Sequence, residues 1–485
     1  MLINLFLCLI IVLSLPCLAE EYYIDTQKAF DALCEASFQP GDTILFKKGA
    51  QFVGMFAPTG DGTAKNPIQI DTYGKGNRPR IDAQGKRQAG LLLRNVTFWE
   101  VRGLEITNTD GTDNDQGNLF GIYVLADGAE KTYEHIYIDH CFIHDVNGKV
   151  AGKRRGGIHV HIKDLTASIF HDLRITNNRV VRVGGVGIGN DSSCGAVEFF
   201  EKDTKNHYLW TDVYVADNWV DTTGRNNVIA RVSQNAIYER NVLANSSRYD
   251  TGHSIFCFDT DGIKIQYNEA YGNVGHEGSD RGGFDADYNC VNTFIQYNYS
   301  HDNMWFCGIM KRPNRNVVIR YNVSCNDKRG IYFYGFEKSK KARDIHIYNN
   351  THYVGEGLSV QVFPEGRTPL NTRFENNIFY FGGRGEWGEN AEGINTTFRN
   401  NLYYQISPHK TDDRAITANP MFIRPPAGAA KIDLRTMNAL KGFQLKPESP
   451  CIHTGIKIED NGGQDILGVP INGEKPTLGA FAAVQ

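Results

Sequence analysis

From about residue 170 onward the chain repeats one pattern: a short strand of alternating apolar and polar residues closes on Asn, and a second short strand follows. The phrase reads Ile-Thr-Asn-Asn178, Val-Ala-Asp-Asn218, Tyr-Glu-Arg-Asn241, Ile-Gln-Tyr-Asn268, Ile-Gln-Tyr-Asn298, Ile-Arg-Tyr-Asn322, Ile-Tyr-Asn-Asn350, Phe-Glu-Asn-Asn377 and Phe-Arg-Asn-Asn401. From Asn218 the gaps are 23, 27, 30, 24, 28, 27 and 24 residues. One such copy is too small to bury its apolar face, so copies must stack into a parallel solenoid. Asn suits the corner because it tolerates left-handed backbone and can hydrogen-bond its equivalent in the next coil. The spacing of a leucine-rich repeat is absent.

Another strand precedes each Asn phrase, as in Gly121-Ile122-Tyr123-Val124, Gly157-Ile158-His159-Val160-His161, Gly330-Ile331-Tyr332-Phe333-Tyr334 and Gly357-Leu358-Ser359-Val360-Gln361. With Ile and Val pointing inwards, Tyr, His, Ser and Gln are expected outside. Phe258-Asp259-Thr260-Asp261 and Phe284-Asp285-Ala286-Asp287 fall among these strands, one coil apart. The same alternation buries Phe258, Thr260, Phe284 and Ala286 and turns all four Asp outwards. Aligned by identity, Asp259 lies over Asp285 and Asp261 over Asp287 at the ~4.8 Å spacing of neighbouring strands. Lys311 follows one coil later, because Lys311 and Asp287 each precede their Asn by the same number of residues.

Four stacked carboxylates must retain protons, bind a cation or be neutralised by Lys311 and Arg312. The flanking residues suit a saccharide: Trp305 before Lys311, Tyr332 and Tyr334 two coils on, and His301 beside Asp302 just past Asn298. His276-Glu277 precede Asp280 in a corner segment. His159 and His161 lie several coils away and would bind a distant sugar unit, and Lys153-Arg154-Arg155 enter the same strand as a basic loop suited to an anionic glycan. Corner segments 109–120, 145–157, 190–212 and 272–283 are the expected groove walls.

The 51 Lys plus Arg nearly balance 55 Asp plus Glu, which argues against a nucleic-acid binder. Fifty Gly and 11% aromatic residues fit turns and strands better than long helices. Residues 5–15 are apolar apart from Ser14 and are followed by Cys17-Leu18-Ala19, which predicts a signal peptide over residues 1–19 and a secreted or periplasmic chain. Ser14-Leu15-Pro16-Cys17 offers a second reading, lipid anchoring at the cell surface through Cys17. No later run is long enough for a membrane span. The eight remaining Cys have no C-x-x-C spacing and read mostly as small buried hydrophobes.

The chain resembles the right-handed parallel β-helix proteins of the pectate-lyase-like superfamily. The resemblance rests on the Asn phrases, on Gly41-Asp42-Thr43-Ile44-Leu45-Phe46 after an amphipathic stretch, and on Asn66-Pro67-Ile68-Gln69-Ile70. The closing Ser449-Pro450-Cys451-Ile452, Asp465-Ile466-Leu467-Gly468 and Leu478-Gly479-Ala480-Phe481 are also similar to the end of bacterial members. It implies an all-β solenoid of ten to twelve coils. Its parts would be an N-terminal cap and first coil over 20–60, the helix over 61–410 and a C-terminal closing segment over 411–485.

Function within such a superfamily has to come from the site. A glycoside hydrolase would use Asp285 and Asp287, with Asp259 and Asp261 as partners and no cofactor. A polysaccharide lyase would bind calcium at Asp259, Asp261, Asp285 and Asp287 and use Lys311 or Arg312 as base. A non-catalytic glycan-binding surface protein is the third class. The expected partner is a polysaccharide or oligosaccharide, acidic or sulfated in one version, and the expected state is a monomer.

Overall fold

The computed structural model describes residues 19–113, 117–165, 167–193, 208–276, 278, 280–335, 341–425, 438–471 and 473–483. The predicted signal segment with Cys17, most of the corner 190–212, Cys194 and Glu277 lie outside the described residues.

The chain winds as a parallel β-helix, with short strands stacked in three ladders. The ladder that matters for function contains Phe120–Ala126, Gly156–Ile162, Val186–Ser192, Val228–Gln234, Ile255–Asp261, Gly282–Ala286, Trp305–Ile309 and Gly330–Tyr334. Every pairing in it is parallel. The inward row Ile122, Ile158, Ile188, Val228, Ile255, Phe284 and Cys307 is almost fully buried in one core that runs the length of the helix. At the N-terminal end the helix Gln27–Leu33 plugs that core with Phe30, and Thr26 caps it by accepting the Ala29 N–H.

The corner asparagines form the expected ladder. Asn178 donates its N–H and Nδ2–H to Asn218 Oδ1 at 3.0 and 3.1 Å. The same pair of bonds links Asn218 to Asn241, Asn241 to Asn268, and Asn268 to Asn298. It continues through Asn322, Asn350, Asn377 and Asn401, where Asp412 accepts the last pair. The left-handed residue is not the ladder Asn, as expected from the sequence, but its predecessor: Asn177, Asp217, Arg240, Tyr267, Tyr297 and Tyr321 have φ of 56, 58, 52, 55, 58 and 51°. The turn thus needs a left-handed residue one place earlier, and the ladder bonds hold it there even for Tyr and Arg.

All seven described cysteines are free thiols and six are buried, in keeping with their reading as small hydrophobes. Residues 438–471 and 473–483 pack outside the helix, where Arg320 donates to the Asp460 carbonyl at 2.6 Å and Gln464 donates to Tyr267 Oη at 2.6 Å. No helix among the described residues is long and apolar enough to cross a membrane.

Candidate active site

Strand register decides which side chains meet. Phe256 pairs with Asp285, and Cys257 with Ala286. The two Phe-Asp-x-Asp strands therefore stack out of phase with their sequence identity, and Asp259 does not sit over Asp285. Cys257 rather than Phe258 enters the core, while Phe256 and Phe258 lie on the outer face with Val186 and Ile229. Further along the strand Asp259, with φ of 51°, breaks the alternation, and the offset between the two coils grows by one residue between Cys257 and Thr260. In the following strand the expected phase holds, with Phe284 and Ala286 in the core and Asp285 and Asp287 on the other side.

Two outward rows result. One runs Tyr123, His159, Gly189, Ile229, Phe256, Asp285, Gly308 and Phe333. The other runs Leu125, His161, Asp191, Arg231 and Phe258, and Asp287 follows where its N–H reaches the Cys257 carbonyl at 3.2 Å. Lys153 comes in from the corner 145–157 and places its Nζ 4.8 Å over the Phe256 ring. Arg231 lies over both Phe256 and Phe258, at 5.8 and 5.5 Å.

Burial pulls the Lys153 pKa below the ordinary lysine value, with Asp287 and Asp280 opposing that shift and Arg225 and Arg231 adding to it. Lys153 therefore lies in the field of both carboxylates. Burial also lowers Arg231, against the pull of Asp191 and Asp287. Asp191 accepts an ion pair from Arg154 and lies 3.4 Å from Arg231, so the basic loop is partly neutralised within the fold.

Asp280 comes from the corner 272–283 and keeps about a third of its side chain exposed, whereas Asp285 keeps 3%. His253 lies beneath both, with Nε2 3.7 Å from Asp280 Oδ1 and 3.6 Å from Asp285 Oδ2. The sequence reading missed His253 as a site residue. It stands outside the repeated phrase, and only the coil-to-coil register brings it against Asp280 and Asp285.

The other expected residues divide by location. Asp259 is fully buried, accepts Asn289 Nδ2–H at 2.9 Å, and has its pKa raised to about 7, chiefly by burial. Asp261 is half-buried and accepts Asn292 Nδ2–H at 2.8 Å. The four Asp thus do not converge on one point, and among the described residues no group of three His, Cys, Asp or Glu could hold a metal ion.

Lys311 is 8% exposed and falls one place beyond the position opposite Asp287, because Ile309 pairs with Ala286. Arg312 stacks 4.4 Å over Tyr288 beside the Asp287 strand end. Tyr332 and Tyr334, expected on the outer face, point into the core instead. Their hydroxyls bond His352 Nε2 at 2.9 Å and Thr372 Oγ1 at 2.8 Å, and Phe333 takes the outer position. Trp305 is fully buried and stacks on Phe333 at 4.5 Å, so it supports the groove from below and offers no open face to a sugar.

His301 lies on a different ladder, buried between Glu269 and Asp302 at 3.1 and 2.9 Å, and takes no part in this cluster. His159 is buried and stacks on Phe120, while His161 bonds Tyr123 Oη at 2.9 Å. Both lie on the same outer face as Asp287, four coils away.

This arrangement is that of a parallel β-helix protein with carboxylates, basic side chains and aromatic rings gathered on one outer face. No protein-family model matches the chain. It is similar to a lacto-N-biosidase of Bifidobacterium longum, at 26% identity over 430 residues that take in 70% of this chain and 26% of that protein. The chain thus spans about a quarter of that relative's length.

Solved structures with the same fold include the GH136 lacto-N-biosidase of Eubacterium ramulus, with a TM-score of 0.58 and 19% identity over 80% of this chain and 67% of that one. The PL6 family alginate lyase AlyGC superposes with a TM-score of 0.51 and 15% identity, over 83% of this chain and 54% of that one. These likenesses establish the architecture shared by the three chains.

Proposed function

We propose that the chain is an exported glycoside hydrolase whose two working carboxylates are Asp280 and Asp287. The observation that carries this reading is the convergence of these two solvent-reaching carboxylates on Lys153 above the aromatic floor of Phe256 and Phe258. Asp285 and Asp259 are closed off from a substrate by burial. Hydrolysis of a glycosidic bond needs one carboxyl to protonate the leaving oxygen and one carboxylate to act as nucleophile or to activate water. Lys153 keeps the pair from repelling fully and favours one ionised member.

The similarity to a lacto-N-biosidase supports a hydrolase that works on an oligosaccharide containing a lacto-N-biose unit. The charge balance supports a neutral sugar, since Arg154 and Arg231 already face Asp191. Aromatic faces with a few polar groups around them suit sugar rings.

The test is an assay of purified protein against lacto-N-biosides and other neutral and acidic glycans, following reducing ends and the ultraviolet absorbance of unsaturated uronides together. Reducing ends without absorbance are expected, and Asp280→Asn and Asp287→Asn should each lower turnover on the order of 10³-fold while leaving the fold unchanged. A rise in absorbance would instead establish β-elimination. Full activity in both variants would remove this site.

A further inference from the structure

His253 is 2% exposed and lies just before the strand Ile255–Asp261. Its imidazole occupies a slot left open by two glycines on the following coils. A Cβ on Gly282 would come within 2.7 Å of His253 Nδ1, and one on Gly308 within 3.0 Å of Cε1 and 2.6 Å of Asp285 Oδ1. The Gly282 N–H donates to Nδ1 at 3.0 Å. Nδ1 must therefore present its lone pair, so the ring is neutral and its one proton sits on Nε2. That proton faces the gap between Asp280 Oδ1 and Asp285 Oδ2, at 3.7 and 3.6 Å, each slightly longer than a hydrogen bond. Spacings of this kind tighten when substrate binds.

The Asp280 backbone is already fixed. Its N–H donates to Thr251 Oγ1 at 2.7 Å, and its carbonyl accepts the Thr251 hydroxyl at 2.6 Å and the Gly252 N–H at 2.8 Å.

We propose that His253 is a positioning residue of this cleft: its Nε2–H is shared between Asp285 and Asp280, and it aims the Asp280 carboxylate at the sugar. This rests on the reading of Asp280 as a working carboxylate. Asp285 is held on a strand and Asp280 on a corner, and the imidazole ties one to the other. No proton leaves His253 in this role. The charged groups that face the ring are Asp280, Asp285 and Lys153. Burial lowers the affinity of the ring for a second proton, and Lys153 lowers it further.

The experiment compares His253→Leu, which removes the N–H, with His253→Gln, whose amide can offer one from nearly the same place. On a glycoside that the wild-type protein cleaves, H253L is expected to lose kcat by ~10²-fold with KM little changed. H253Q should recover most of the loss. Wild-type kcat in H253L, or a loss that H253Q does not recover, would overturn the proposal.

A second measurement does not depend on activity: nitrogen-15 spectra of the wild-type imidazoles between pH 5 and 8 should show a non-titrating His253 with its proton on Nε2. An imidazolium, or a proton on Nδ1, would overturn the proposal even if H253L failed to fold. If no glycoside is cleaved by wild-type protein, the hydrolase reading fails, while the spectra still decide where the His253 proton lies.

Discussion

Asp259 illustrates how far a single residue can depart from its sequence pattern. The alternation around it was legible, but it placed the carboxylate on the surface beside Asp285. A left-handed backbone at Asp259 instead buries the side chain, which then bonds Asn289. Nothing in the chain marks that turn, because Asp is also common in ordinary strand-end and turn positions. Burial raises the pKa to about 7, so the folded protein holds a proton here that the unfolded chain, with the ordinary carboxylate value, has released.

The sign follows from linkage: a raised folded-state pKa contributes stability below the unfolded value and loses it as pH rises through the folded one. Replacing Asp259 by Asn removes that dependence. The melting temperature of D259N relative to wild type should therefore climb as pH rises from about 4 to about 7. Thermal melts across that range check it, and a constant difference would refute the buried, protonated state.

At the scale of the element, the Asn ladder was fully visible in the sequence. Its chemistry repeats every coil, and the same two bonds recur at nearly every step. Asn268 accepts both the N–H and an Nδ2–H of Asn241, each at 3.0 Å, and donates to the Tyr238 carbonyl at 2.9 Å. Asn268→Ala would leave three buried polar groups without these partners, at a cost of ~1–3 kcal/mol each. A loss of at least about 3 kcal/mol in chemical denaturation is expected, with strand content retained at low denaturant.

Register between strands was much less legible. Tyr332 and Tyr334 alternate as the sequence suggests, but in the opposite phase, because Tyr332 pairs with Cys307 and Tyr334 with Ile309. A slip of one residue exchanges faces completely. Aromatic residues make such phases hard to read, since Tyr packs as well in a core that satisfies its hydroxyl as on a surface. Here His352 and Thr372 supply those partners.

At the scale of the whole molecule, four buried histidines among the described residues, His159, His253, His352 and His409, have their affinity for a second proton lowered chiefly by burial. His352 lies in the core between Phe306 and Phe379, and its pKa is lowered to about 3 by burial. A histidine whose folded pKa lies below its unfolded value contributes stability above the unfolded pKa of about 6.5 and loses it as pH falls. Acid unfolding should thus set in below about pH 6.5, before the carboxylates of an ordinary protein begin to protonate. His352→Asn should flatten that limb relative to wild type, which melting curves between pH 4 and 7 would show. An unchanged slope would mean that the imidazole is charged or exposed in the folded state.

The sequence by itself determined the parallel solenoid, the Asn ladder, the capped start, and the outward placement of Asp285 and Asp287. Each of these follows from a local period repeated coil after coil, and a repeat multiplies a weak signal. Only the tertiary structure decided which carboxylates share the cleft. Asp280 and Lys153 come from corners with no repeating pattern, and His253 meets Asp280 and Asp285 only through the register between coils. Contacts between coils depend on offsets of one residue in segments of variable length, and chain composition carries no trace of such offsets.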